Sequence, residues 1–162
     1  MTGMVEQGIY VSVASVLLWA AATDLKERRI PNIQPILVTA LFFLLGLLKW
    51  QTGSSIFEAL VYPGLTGLLV FGFCIILYAL GHMGGGDVKL ISAMGLIAGP
   101  TLGPIFVVFV TIAGGLVALG TLAHAYMQPA STTIGQLKVP YGVAIMAGGL
   151  WVCLQKMTVS PV

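Results

Sequence analysis

Charge is scarce in this sequence. Seven basic and five acidic residues make up 7% of the chain, whereas an ordinary soluble domain carries roughly 25% charged residues. Hydrophobic residues account for 58%, and this balance excludes a soluble domain and indicates a membrane protein. The net charge of +2 is also too small to indicate a surface that binds nucleic acid.

Cysteine is almost as rare, which excludes two kinds of stabilising cross-link. Cys74 and Cys153 are the two cysteines, and the sequence has no C-x-x-C pair. A structural zinc site of the usual spacing is therefore excluded. The predicted helices place the two thiols about 9 Å apart in depth, whereas a disulfide needs Cα atoms within about 7 Å of each other. Both cysteines are predicted to be small core residues.

Charge-free runs are abundant. They occupy residues 7–23, 30–48, 59–86, 90–137 and 139–155. A helix that crosses a bilayer needs about 20 apolar residues, so the run at 90–137 must hold two helices. The runs are too evenly apolar for the alternating strands of a membrane barrel. We therefore predict an all-α polytopic membrane protein, a six-transmembrane-helix bundle that forms one integral membrane domain over residues 1–162.

One of the predicted helices is too short to cross a bilayer unaided. The helix over Val88–Gly99 would be about 18 Å long, against a hydrocarbon thickness of about 30 Å. We therefore expect a locally thinned bilayer, or an irregular flank below the membrane surface that faces protein or water. The neighbouring helices are predicted over Phe57–Leu80, where Pro63 bends or delays the start, and over 104–126.

The distribution of basic residues predicts the orientation, because short cytoplasmic loops carry an excess of Lys and Arg. Most of the basic residues fall on one side of the predicted bundle, and the exceptions are Lys49 and Lys156. The majority side has Lys26, Arg28, Arg29, Lys89 and Lys138. We therefore expect both termini outside, with the connections near 25–31, 82–88 and 127–139 at the cytoplasmic face of the cell inner membrane. These basic residues would also anchor the protein to anionic lipid.

Two of the acidic residues stand at the ends of apolar segments on that same face. Asp24 follows the first helix, and Asp87 precedes the short helix. An ionisable group in such a place is costly and indicates function. Each acid also has a purely structural explanation. Asp24 can form an ion pair with a neighbouring Lys or Arg, and Asp87 can be the N-cap of its helix. Considered singly, the two acids leave these explanations open.

Considered together, Asp24 and Asp87 predict a catalytic pair. Two ionised carboxylates about 4 Å apart repel each other by roughly 4 kcal/mol at an effective dielectric constant of about 20, so the pair would share one proton. One carboxylate could then take a proton from water while the other donates a proton to a peptide carbonyl. This chemistry needs no covalent intermediate, metal or organic cofactor, and none is expected here.

The residues around Asp87 suggest how a substrate would be held. Gly84, Gly85 and Gly86 can take backbone angles that other residues cannot, and they leave room for an extended peptide beside the acid. A tight turn would explain these glycines equally well. Lys89 lies two positions after Asp87 and points elsewhere on a regular helix, so it is a candidate for substrate contact or for membrane anchoring.

These segments resemble a known family. The stretch "MGGGDVKL" resembles the G-x-G-D signature of type IV prepilin peptidases, and the D-x-x-x-x-x-I-P-N context of that family's first aspartate is matched from Asp24 to Asn32. A third stretch, "VPYGVAIMAGG", is similar to the start of the family's last helix. The resemblance implies a membrane-embedded aspartic endopeptidase. Its catalytic residues would be Asp24 and Asp87, and it would cut the leader from type IV pilus prepilins at the cytoplasmic face of the membrane.

The resemblance is to the short members of that family, the Flp/Tad-type prepilin peptidases and the archaeal preflagellin peptidases. Larger members carry an N-terminal region with paired C-x-x-C motifs and a methyltransferase activity. Few residues precede the first helix here, so no methyltransferase activity is expected. The implied partners are a prepilin-like substrate, whose apolar helix lies in the lipid bilayer, and no nucleic acid. Glu27 could meet the basic leader of such a substrate.

Two other functions fit part of the pattern. The main alternative is a small ion or solute transporter that uses intramembrane aspartates. No internal duplication in the sequence supports a transporter, and two acids at equal depth suit a site at one membrane face. The remaining alternative is a structural assembly subunit in which the glycines only pack helices together.

Overall fold

The computed structural model describes residues 2–127 and 141–159, and these residues form helices without strands. The elements in chain order are α1 (Thr2–Glu27), α2 (Ile33–Gln51), a π-helical turn (Phe57–Val61), α3 (Tyr62–Ala79), α4 (Gly85–Met127) and α5 (Tyr141–Val159). The predicted all-α class is confirmed. Lys138, and with it the start of the motif at Val139 and Pro140, lies outside the described residues.

Four of the described helices are long and apolar enough to cross a membrane. They cover Gly3–Glu27, Ile33–Gln51, Phe57–Ala79 and Gly85–Ala123. This length and composition support the predicted membrane protein. The predicted number of six spans is not confirmed, because the described ranges contain 4 candidate spans and α5 is not among them.

A sharp bend divides α4 into two arms. Gly99 has φ 67° and ψ −172°, and it is followed by Pro100, which has no N–H to donate within a helix. Ile91 and Gly115 line the same cavity, although a straight helix would hold them about 36 Å apart. The second arm (100–127) therefore folds back along the first arm (85–98). The bend falls at the predicted boundary after Gly99.

The start of α3 follows from one proline. Pro63 stands in the first turn of α3, and its missing N–H prevents the usual hydrogen bond to the carbonyl four residues earlier. The preceding turn is instead a π-helix, in which the Tyr62 N–H donates to the Phe57 carbonyl, five residues back. Regular α-helix thus begins later than the predicted Phe57, as the position of Pro63 led us to expect.

Close contacts between small residues hold the bundle together. A Cβ atom added to Gly95 of α4 would lie 3.3 Å from the Cα of Gly67 on α3, and one added to Gly149 of α5 would lie 2.5 Å from the Leu17 side chain of α1. Such glycines let helix backbones approach closely. The largest fully buried side chains of the core include Tyr10, Leu17, Leu90, Met94, Phe106 and Ile145. This packing brings the end of α1 beside the starts of α4 and α5.

Candidate active site

Asp24 is built into the core near the end of α1. Its side chain is 5% exposed, and its Oδ2 accepts a hydrogen bond of 2.8 Å from the backbone N–H of Gly142. Gly142 is the second residue of α5, where the backbone N–H groups have no partner within the helix. A Cβ atom at Gly142 would lie 2.7 Å from the Asp24 Cβ, so only glycine allows this approach.

Asp87 is the third residue of α4 and is half-buried. Its Oδ2 accepts a hydrogen bond of 3.2 Å from the backbone N–H of Gly84, the residue just before the helix. This is the backward half of a capping box. The prediction that Asp87 is the N-cap residue is therefore wrong. The helix α4 begins at Gly85 and not at Val88, so Asp87 lies inside its first turn.

The structure brings the two acids to one polar cavity, which we name the dyad cavity. Its volume is about 510 Å³. It is lined by Asp24, Glu27, Arg28, Arg29, Ile30, Pro31, Asn32, Gly84, Gly85, Gly86 and Asp87. The lining comes from the end of α1, the connection to α2 and the start of α4. A cavity of this size has room for a water molecule and an extended peptide segment.

Two of the three glycines before Asp87 serve close packing, and none of the three takes an unusual backbone angle. Neither Gly84, Gly85 nor Gly86 has a positive φ, so the expected conformational freedom is not used. A Cβ atom at Gly86 would lie 2.7 Å from the Ile30 carbonyl oxygen, and one at Gly84 would lie 2.7 Å from Asp87 Oδ2. At Gly85 the first neighbour would be Tyr78 at 3.6 Å, which is ordinary contact.

Lys89 faces away from Asp87, as its spacing predicted. Its Nζ donates a hydrogen bond of 2.9 Å to Oδ1 of Asn32. Asn32 makes no side-chain capping bond to α2, so its side chain connects to α4 instead. Together with the contact between Ile30 and Gly86, this bond joins the α1–α2 connection to the start of α4 and positions Asp87 relative to Asp24.

The remaining candidate, Glu27, lies in the same cavity as the two acids. His82 lines a separate apolar cavity together with Cys74. Arg28 has φ 53°, a left-handed conformation that costs a non-glycine residue about 1–2 kcal/mol. It ends α1, and its N–H donates to the Asp24 carbonyl at 2.9 Å. Within residues 2–127 and 141–159, no three His, Cys, Asp or Glu side chains are grouped so that they could hold a metal.

Sequence reasoning missed two of the site's polar partners. The stretch around Gly142 indicates only the start of a helix, although glycine is the one residue type that fits there against Asp24. Asn32 appears in the sequence only as the end of the I-P-N motif, although its side chain bonds to Lys89. Both contacts are tertiary, and no local sequence pattern points to them.

The sequence profile of the type IV leader peptidase family matches residues 11–119. The match includes Asp24, the glycines before Asp87 and Asp87 itself, whereas Gly142 lies beyond it. No curated protein and no solved structure matches the chain. The matched region is well over half of the sequence and carries both acids of the dyad cavity, and the chain therefore belongs to the type IV leader peptidase family.

Proposed function

We propose that the protein is a membrane-embedded aspartic endopeptidase that removes the leader from type IV prepilin-like proteins. The observation that carries the proposal is that Asp24 and Asp87, far apart along the chain, line one polar cavity. Two carboxylates around a space that admits water and a peptide are the machinery that acid–base hydrolysis requires. Membership of a leader peptidase family supports the same reaction.

The chemistry needs one proton shared between Asp24 and Asp87. The ionised carboxylate takes a proton from water, and the oxygen of that water attacks the scissile carbonyl carbon. The protonated carboxyl donates its proton to the carbonyl oxygen, which gives a neutral tetrahedral intermediate. When the C–N bond breaks, the leaving nitrogen receives a proton from one carboxyl. The intermediate's hydroxyl returns a proton to the other, so the pair ends with one proton as it began.

The residues around Asp24 and Asp87 orient the acids and bind the substrate. The N–H of Gly142 holds the Asp24 carboxylate in a fixed orientation. Gly84, Gly85 and Gly86 form one wall of the dyad cavity, and an extended substrate would lie along them. Gly85 has ordinary space around it and is the position at which the substrate backbone would come nearest. Lys89 would contact the substrate where the segment leaves the cavity.

The arrangement in the membrane follows from the same proposal. The dyad cavity lies at the cytoplasmic face of the inner membrane, both termini lie outside, and the single domain crosses the bilayer six times. Each arm of α4 counts as one crossing and α5 as another. The first arm of α4 is about 21 Å long, less than the hydrocarbon thickness of about 30 Å. The end that carries Asp87 therefore lies below the membrane surface, where it faces the water of the cavity.

The proposal is tested with purified protein in detergent and a panel of synthetic peptides that carry a leader followed by an apolar helix. We expect cleavage at one bond near the start of that helix. Both Asp24→Asn and Asp87→Asn should lower the rate of cleavage by at least about 10² while the protein stays folded. Full cleavage by either variant would overturn the paired mechanism. Ion flux into proteoliposomes without cleavage of any peptide would favour the transporter instead.

A further inference from the structure

A groove lies between α2 and α3, beside the dyad cavity. Both helices pack on α4, and they diverge from the π-helical turn that both of them contact. The space between them, which we name the α2–α3 groove, has a volume of about 690 Å³. Its walls include Ile36, Ala40 and Phe43 on α2, Phe71 on α3, and Ala93 and Leu96 on the first arm of α4.

The interior of the α2–α3 groove is apolar. Ile36 is 60% exposed, Phe43 58% and Phe71 37%, so large hydrocarbon surfaces face an occupant. The two hydroxyl groups in the groove are already satisfied within their own helices. Thr39 donates to the Pro35 carbonyl at 2.8 Å and Ser92 to the Val88 carbonyl at 2.6 Å. Apart from Asn32 and Lys89, which adjoin the dyad cavity, the groove therefore favours an apolar occupant.

The groove adjoins the dyad cavity at Asn32. Asn32 lines both spaces, and it is bonded there to Lys89, which lines the groove. The apolar cavity around Cys74 and Leu77 shares no described lining residue with the dyad cavity. The α2–α3 groove, unlike the cavity around Cys74, thus borders the dyad cavity.

We infer that the α2–α3 groove holds the apolar transmembrane helix of the substrate, with the end nearest the scissile bond placed at Asn32 and Lys89. This inference rests on the proposed function and identifies the surface on which that substrate docks. The polar dyad cavity receives the extended cleavage segment, and the apolar groove receives the helix that follows it. Ala40 and Ala93 leave room for a helix to approach closely, and Ile36 to Phe43 spans about 10 Å, nearly two turns of a docked helix.

Filling the groove provides the first test. Ala40 is exposed, so the indole of Ala40→Trp occupies the groove without entering the core. We expect the KM for a leader-plus-helix peptide to rise at least about tenfold, because the indole takes the volume that the substrate helix needs. Leu37→Trp is the matched control, since Leu37 lies one turn earlier, is 36% exposed and does not line the groove. A wild-type KM in a folded Ala40→Trp protein would overturn the inference.

Photo-crosslinking provides a second test that does not depend on cleavage or on the stability of a tryptophan variant. A benzophenone amino acid is placed at position 40 or at position 37 of the full chain carrying Asp87→Asn, in nanodiscs with the leader-plus-helix peptide. We expect position 40 to crosslink to the helical part of the peptide and position 37 to give little product. Adducts at position 40 with lipid alone, or with a second copy of the chain alone, would overturn the inference.

The two tests separate this inference from the proposed function. Crosslinking of the peptide from position 40, combined with wild-type protein that never cuts it, would leave the groove assignment standing and overturn the peptidase. Cleavage by the wild type with an unchanged KM in Ala40→Trp, and no crosslink from position 40, would leave the peptidase standing and overturn the groove assignment.

Discussion

Asp24 and Asp87 line the same cavity but are held in different ways. Asp24 is 5% exposed and accepts a backbone N–H from α5, 118 positions away in the sequence. Asp87 is half-buried and accepts an N–H from Gly84, three positions away. Asp24 is therefore held by tertiary packing. Asp87 is held by a local turn, and the nearby bond between Asn32 and Lys89 supports the start of the same helix. We therefore expect changes around Asp24 to affect folding and activity together, and changes around Asp87 to affect mainly activity.

The largest effect is expected from removing either acid. Asp24→Asn and Asp87→Asn should each lower kcat by about 10²–10⁴, because each loses a proton-transfer step. The amide oxygen of asparagine can still accept the N–H of Gly142 or Gly84, so both variants should remain folded. Cleavage rates and thermal unfolding in the same detergent measure the two properties. A variant that cuts at the wild-type rate would show that its acid takes no part in the reaction.

A methyl group beside Asp24 should have the next largest effect. In Gly142→Ala the new Cβ would lie 2.7 Å from the Asp24 Cβ, so α5 or α1 must shift. We expect a loss of about 1–3 kcal/mol in the free energy of unfolding and a fall in kcat of about 10². Gly115→Ala is the matched control in α4, because no atom lies within 4 Å of its Cβ position.

Gly115→Ala should keep wild-type activity and stability, or gain about 0.5–1 kcal/mol. Equal activity and equal stability of the Gly142 and Gly115 variants would show that the close approach of α5 to Asp24 is not needed. Asp24 would then not be held by tertiary packing in the way that distinguishes it from Asp87.

The same change beside Asp87 should separate activity from stability. In Gly86→Ala the new Cβ meets the Ile30 carbonyl at 2.7 Å and pushes the start of α4 away from the α1–α2 connection. We expect kcat to fall by up to about 10² through misplacement of Asp87, with a smaller loss of stability than in Gly142→Ala. Denaturant unfolding of both variants tests whether Gly142→Ala loses more stability than Gly86→Ala. If Gly86→Ala is the less stable of the two, Asp87 is not the locally held acid.

The smallest effect is expected at Gly85. In Gly85→Ala the new Cβ lies 3.6 Å from Tyr78, so the fold has room for it and only a substrate backbone would meet it. We expect unchanged stability and kcat, with a KM increase of less than about tenfold. A lower melting temperature would mean that this glycine serves packing like its two neighbours, and an unchanged KM would place the substrate elsewhere in the dyad cavity.

The sequence was sufficient for those features that rest on local composition. Long apolar runs predicted the helices, and the two acids at their ends predicted a shared cavity, because depth in a membrane follows from position along a span. The N–H of Gly142 could not be predicted, since a contact across 118 positions leaves no periodic signal. The glycines before Asp87 do not use the backbone freedom for which they were singled out, and their contact with a substrate stays a prediction. A run of glycines does not reveal which of them lies against Ile30 and which has open space.

The bond between Gly142 and Asp24 also has a consequence for biosynthesis. Because the donor is translated 118 residues after Asp24 and 55 residues after Asp87, a nascent chain still held by the ribosome carries both acids before the carboxylate of Asp24 is oriented. We expect such a chain to be enzymatically silent until α5 inserts. Co-expressing residues 1–140 with a separate α5 fragment should restore cleavage that the first fragment alone lacks, and activity of that fragment by itself would contradict this dependence.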